Sequence, residues 1–297
     1  MILRVTQDIS RDLLASLNEL RRQEQDAMLQ VASGRRLSVP SDDPAAVAEL
    51  VGNRSALRQA GQTLRNLATL RGTLQVADSA LNSAVLALTR AISLGTQGGN
   101  STLSAANRQA LAEEVRGLRE QLLTLTNVTF QGNYVFAGTA VTTPPYVADA
   151  ASPSQVTYQG NDGVARLDLG EGQTLPMNLP GNRFFSDPAG DAFLALTRLV
   201  DALESGTGIE TATGEVQTAF AHLNTQRAFY GIMLSRLDAA SAFLDQESLQ
   251  LSERENTLVA ADLEVAALHL VQATNARNVA MSAAARISQL SLLDYLK

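Results

Sequence analysis

The chain has 297 residues, with neither cysteine nor tryptophan and only 4% aromatic residues. Without cysteine there is no disulfide framework and no thiolate metal site, and so few aromatics suit long packed helices better than one large globular core. A net charge of −7, with Arg21-Arg22 and Arg35-Arg36 as the only basic doublets, argues against a phosphate-backbone partner, so no nucleic acid is expected.

The opening MILRVTQDISRDLL breaks each apolar run with Arg4, Asp8, Arg11 and Asp12, so no cleaved signal peptide is expected. Leu13, Leu17, Leu20, Ala27 and Val31 then recur at alternating spacings of three and four, the mark of a helix with one apolar stripe; Glu24 is its one break. Ser33-Gly34 ends this helix as a glycine past the last turn does, and Arg35-Arg36 fall where cations suit the carbonyl end. Val39 before Pro40 is held extended, so residues 37–42 read as a short directed joint. Asp42-Asp43 before Pro44 is an N-cap and a first-turn proline rather than an acid/base couple. Gly34, Arg35, Pro40, Asp42, Asp43 and Pro44 together form an elbow between two helical segments.

Proline is confined to that elbow and to positions 144, 145, 153, 176, 180 and 188, which leaves 45–143 and 189–297 free to be long helices. In the first of these, Leu50, Leu57, Leu64, Val85 and Ile92 share one seven-residue row. Leu67, Leu74, Leu81 and Leu88 form its partner row, and Arg71 and Asp78 interrupt the pattern. These are coiled-coil a and d rows. Gly95 to Gly99 lacks the preceding strand and the following Lys-Ser/Thr of a phosphate loop, and reads as a connection to a third helix carrying Leu111, Val115, Leu118, Leu122 and Leu125.

Between 128 and 190 the period changes. VTYQG at 156–160, NDG, then VARLDL predicts a β-hairpin, and NYVFAG at 133–138 predicts a further strand. Helix resumes from Asp191 to Leu203. The last segment places Val216, Leu223, Tyr230, Leu237, Leu244, Leu251, Leu258 and Val265 at strict sevens, then changes lane to Val259, Ala266, Ala273, Ala280 and Ile287, supported by Leu290. A straight helix drifting about 20° per heptad accounts for the change. The longest uncharged apolar stretch, Val265 to Ala276, is well short of the ~20 residues of a bilayer span, so no membrane insertion is expected.

His222 and His269 lie on or beside helix stripes with no second ligand at metal spacing and read as packing residues. No catalytic group, metal site or cofactor is assigned. The expected fold is mainly α: an elongated antiparallel helical bundle or coiled coil formed by both chain ends, with a small β-rich insert. The expected domains are 1–40 with 258–297, 41–127 with 191–257, and 128–190. Two lone amphipathic helices bury little, so the end segments need partners: each other and neighbouring copies. Their assembly interface is assigned to Leu13, Leu17, Leu20, Val31, Val259, Ala266, Ala273, Ala280, Ile287 and Leu290.

SGRRLSVPSDDPAAV resembles the N-terminal region of the flagellin superfamily, and its PSDDP wording is closer to the hook-associated protein type 3 family than to filament flagellin. QGNYVFAGT with the following PPY resembles that family's entry into its outer domain, VTYQGNDG its first hairpin, and AARISQLSLLDYLK its terminal helix. The start departs from the family's Met-Arg-Ile pattern, since Arg4-Val5-Thr6 follow Met1-Ile2-Leu3. The resemblance implies a structural, non-enzymatic adaptor of the bacterial flagellum, exported by the type III route without signal cleavage and located outside the cell. Its implied partners are copies of itself in a ring, hook-associated protein type 1, flagellin and an export chaperone. A short filament flagellin is the alternative, and an enzyme with its chemistry in the β insert is the rival of another class.

Overall fold

The structure, a computed structural model, describes the backbone of residues 2–295 apart from 38, 40, 150, 151, 153, 171 and 172, and the side chains of residues 11–286 apart from those and from 13, 169, 170 and 173. The helices are α1 (Ile2–Ser33), α2 (Pro44–Gly98), α3 (Ala105–Thr126), α4 (Asn182–Phe185), α5 (Ala192–Ser205), α6 (Ile209–Val259) and α7 (Leu263–Tyr295). Between α3 and α4 lie three two-stranded antiparallel sheets: β1 (Thr129–Phe130) with β2 (Asn133–Tyr134), β3 (Tyr146–Ala148) with β4 (Val156–Tyr158), and β5 (Arg166–Gly170) with β6 (Gln173–Pro176). The fold is mainly α with a small β insert, as the periodicity and the proline distribution predict. It divides into two compact units, Met1–Ala60 with Gln246–Lys297, and Gly61–Asp245.

In the second unit the heptad rows become the core. Leu67, Leu74, Leu81 and Leu88 of α2 are fully buried, as are Val216, Leu223, Tyr230 and Leu237 of α6. The two interruptions of the α2 row are answered from α6. Arg71 pairs with Asp238, and Asp78 receives Arg227 through Nε at 2.7 Å and Nη2 at 3.2 Å. This fork raises the affinity of the Arg227 guanidinium for its proton. α3 packs against α5, burying Ala112, Val115 and Leu122 against Leu196, Leu199 and Leu203. Ser104 caps α3 and Asp191 caps α5, each side-chain oxygen accepting an amide of the first turn.

Two readings of this region are corrected. Gly95 and Gly98 lie inside α2 rather than in a loop. A Cβ on Gly95 would collide with Thr213 Oγ1, and one on Gly98 with Leu203 Cδ2, so these glycines admit close helix approach. The connection to α3 begins only at Gly99.

The expected hairpin between 156–160 and 164–169 does not form either. β4 pairs back onto β3, with Tyr146 opposite Tyr158, and β5 pairs forward onto β6. The intervening Asn161 is captured by a different partner: its Oδ1 accepts from the Thr139 amide at 2.8 Å and from the Gly163 amide at 3.1 Å. NYVFAG yields only the two residues of β2, which follow a tight turn at Gln131 and Gly132, both with positive φ. The rest of that stretch dives inward. Phe136, Tyr146, Phe184, Phe185 and Phe193 form an aromatic cluster with ring centroids 5.2–6.1 Å apart, which anchors the small sheets where their own hydrogen bonds are few. Tyr146 is held there by Asn127, whose amide donates to its carbonyl and whose oxygen accepts from its N–H. Burial pushes the Tyr146 hydroxyl well above its usual range and lifts that of Tyr158 to about 12.

Candidate assembly interface

The first unit holds α1, the start of α2, the end of α6, and α7. α1 and α7 run antiparallel: Arg35 bridges Ala260, and Glu24 meets Thr274 and Arg277. Where they meet, the seam is built of small residues, with Ala27, Ala266 and Ala273 all buried. Leu17 and Leu20 are half-buried, as is Ala280, and Val31 is exposed at 36%. The side chains of Leu13, Ile287 and Leu290 lie outside the described residues.

The lane change in the C-terminal pattern is real, since Val265 is 47% exposed while Ala266, one position on, is 3% exposed. Its cause is not drift along a straight helix. The helix stops at Val259 and restarts at Leu263, and Asp262, whose Oδ1 accepts from the amides of Glu264 and Val265, caps the new helix. Asp262 looks like a polar exception within a seam when the segment is read as one helix. The signal for a break was an N-cap residue followed two positions later by Glu264.

This second break sits beside the first. Gly34 adopts φ +67°, its amide closes the last turn of α1 on Gln30, and its carbonyl accepts from the Ala261 amide at 2.9 Å. The Arg36 amide donates to the carbonyl of Val259 at 2.8 Å, and the Arg36 side chain donates from Nη2 to Leu258 and from Nη1 to Asp43, each at 3.2 Å. Asp43 accepts the Ala46 amide at 3.0 Å and so caps α2, of which Pro44 is the first residue. The Ala46 amide first, and Arg36 after it, hold the Asp43 carboxyl below its ordinary value. Asp42 closes its own turn by accepting the Val39 amide at 2.9 Å. Pro40 lies outside the described residues. Leu37, the first residue of the joint, is buried. Farther from the elbow the same unit is clamped by Arg54 to Glu255 at 2.8 Å and by Asn53 to the carbonyl of Leu251 at 2.7 Å.

At 100° per residue, Ala266 and Ala273 fall on one side of α7, whereas Val265, Leu268, Val271 and Val279 cluster on the opposite side. All four of the latter are exposed, Val279 at 69%, and α1 adds exposed Leu14, Met28 and Leu29. α7 is therefore apolar on two opposite faces, only one of which is covered within the chain. A helix of that kind belongs in an interior, and a strip of this extent marks an association surface. Among the described residues there is no metal-binding cluster of His, Asp or Glu. His222 accepts no such role: its Nε2 sits 2.8 Å from the carbonyl oxygen of Arg183, and His269 is exposed on α7. No helix is long and apolar enough to cross a membrane among the described residues.

Comparison with known proteins gives this arrangement a context. The bacterial flagellin N-terminal helical region matches residues 6–141, and the bacterial flagellin C-terminal helical region matches residues 213–296. Flagellar hook-associated protein 3 of Escherichia coli (strain K12) is 26% identical over 298 residues, covering 90% of this chain and 91% of that protein. Flagellin B of Helicobacter pylori (strain ATCC 700392 / 26695) is 28% identical over 130 residues, which span 43% of this chain and 23% of the flagellin. The crystal structure of Xanthomonas campestris FlgL shares the fold with a TM-score of 0.60 at 18% identity, covering 68% of this chain and 98% of that one. The N-terminal region runs from α1 into the start of the β insert and the C-terminal region covers most of α6 and α7, in the expected order, and the chain belongs to the flagellin superfamily, as a member of its hook-associated protein 3 (FlgL) type.

Proposed function

We propose that this chain is a structural adaptor of the bacterial flagellum, joining the hook to the flagellin filament and assembling through its terminal helices. The observation that carries the reading is the second apolar face of α7, which the chain leaves uncovered and which neighbouring subunits would cover. The hook-associated protein 3 relative is matched nearly end to end, while flagellin B is matched over less than half of this chain, which favours a junction protein over a short filament flagellin. The role of such a protein is structural and not catalytic.

On this reading residues 1–40 and 258–297 form an inner layer, 41–127 and 191–257 a middle layer, and 128–190 an outer one. The protein would sit as a ring of its own copies between hook-associated protein type 1 and flagellin, outside the cell, after export without a cleaved signal peptide. A chaperone would cover the α7 stripe until export. The row Leu13, Leu17, Leu20, Val31, Val259, Ala266, Ala273, Ala280, Ile287 and Leu290 would serve assembly by joining the two terminal helices of each subunit, and the exposed Val265, Leu268, Val271 and Val279 would meet the neighbouring copies.

Deletion in the producing bacterium tests the reading. Cells without the protein should carry hooks, shed flagellin into the medium and regain filaments on complementation, whereas Ala273→Glu should fail to complement. If the purified protein alone polymerised into long fibres, the filament flagellin would be the better reading.

A further inference from the structure

Glu24 stands in the middle of the α1 stripe and faces two residues of α7. The Thr274 hydroxyl donates to its Oε1 at 3.2 Å, and Arg277 Nη1 donates to its Oε2 at 2.5 Å. The carboxylate side chain is 18% exposed and the guanidinium 33%, and Arg277 Nε is buried with no hydrogen-bond partner among the described residues. A half-buried pair with one donor unanswered is a poor source of stability, because desolvation offsets much of the attraction. What one polar position in an apolar seam does provide is discrimination between partners and registers. The rest of this seam is weak in that respect. Ala27, Ala266 and Ala273 are alike, and the α7 alanines repeat at sevens, so a slip of one heptad would replace alanine contacts by alanine contacts.

We propose that Glu24 and Arg277 are the pairing key of the terminal helices: they make α1 take α7, in one antiparallel register, against slipped registers and against like-with-like pairing between copies. In a pair of two α1 helices the stripe Leu13, Leu17, Leu20, Ala27, Val31 brings Glu24 no cation, and in a pair of two α7 helices the alanine row brings Arg277 no carboxylate. A slip of seven residues in the α1–α7 pair separates the two charges by about 10 Å, two helical turns. The key goes beyond the adaptor reading and does not depend on where the protein acts.

The chain contains no cysteine, so introduced pairs report without interference. In the full-length protein at low concentration, Leu17→Cys with Ala280→Cys reads the register that the Arg35–Ala260 bridge and the Glu24–Thr274 bond set, and Leu17→Cys with Ala273→Cys or with Ile287→Cys reads registers slipped by seven. In the native background only the first pair should form an intrachain disulfide. Because the Gly34–Ala261 and Arg36–Val259 bonds also hold one end of the pair, Glu24→Leu with Arg277→Leu should keep α1 and α7 paired but raise slipped or interchain disulfides measurably above the native background. Glu24→Arg alone or Arg277→Glu alone should abolish the Leu17–Ala280 product, and the two reversals together should restore it. Retention of the single register in the Leu/Leu background, or failure of the double reversal to restore it, would overturn the proposal. The Leu/Leu protein keeps the test decisive even where a single reversal unfolds the pair.

Discussion

The amide of Arg36 donates to the carbonyl of Val259 at 2.8 Å, tying the turn after α1 to the turn before α7. Both helices of the terminal pair therefore leave the rest of their unit at one joint. Either break alone would be a flexible hinge, but together they form a short two-stranded bridge that must open as a whole. Arg36→Ala removes the side-chain bonds to Leu258 and Asp43 while leaving that bridge in place. Loss of exposed charge-assisted bonds is worth about 1 kcal/mol, so exchange of the Arg36 and Ala261 amides should accelerate roughly fivefold, with the amides of α5 unchanged. Amide exchange measured by NMR checks this.

Acid should loosen the same joint from the α2 side. The folded-state carboxyl of Asp43 lies below its ordinary 3.8, held there by the Ala46 amide first and by Arg36 after it. Its contribution is therefore complete above that value and is lost as pH falls through the lower folded one. The Ala46 amide should lose protection in that range. Asp43→Asn still caps the helix but cannot titrate, so its Ala46 amide should show no such step, which a pH series of exchange rates would reveal.

Three polar residues that interrupt apolar rows within helices each meet an opposite charge on the facing helix: Glu24 meets Arg277, Arg71 meets Asp238, and Asp78 meets Arg227. Asp78→Leu strands a partly buried guanidinium and should cost about 1–3 kcal/mol in chemical denaturation. Adding Arg227→Leu should recover most of that loss, giving a coupling energy of at least about 1 kcal/mol in the double-mutant cycle.

Two helical glycines should respond in opposite directions to alanine. Gly117 on α3 faces open space, so Gly117→Ala should stabilise by about 0.5–1 kcal/mol through helix propensity. A Cβ on Gly95 would strike Thr213 Oγ1 with Leu199 Cδ1 only 3.1 Å away, so Gly95→Ala should destabilise by about 1–3 kcal/mol despite the same propensity gain. Thermal unfolding of the two variants decides it.

Helices declared themselves wherever one face repeated at sevens, as in Leu67 to Leu88 and Val216 to Leu244, and the elbow did so through Gly34, Asp43 and Pro44. The misreadings share a cause: a local pattern was overruled by a distant partner. VTYQG and VARLDL alternate like two strands of one hairpin, but Tyr158 was claimed by Tyr146 and Asn161 by Thr139. Asp262 resembled a flaw in a stripe because its role as a cap depends on Gly34 and Arg36 closing against Val259 and Ala261, residues more than 200 positions away. The partner of Glu24 lies at a similar separation. Local periodicity carries the faces of helices, and the residues that choose between faces are read only once the ends of the chain are brought together.

The second apolar face of α7 is the centre of the account, and a thiol placed on it tests that face directly. Val279→Cys introduces the only cysteine, at a position 69% exposed on the opposite side from the α1 seam. The purified protein should react completely with a maleimide, and the same thiol should be protected in intact flagella isolated from complemented cells. Equal labelling in both would show that this face meets no neighbour and would contradict the account.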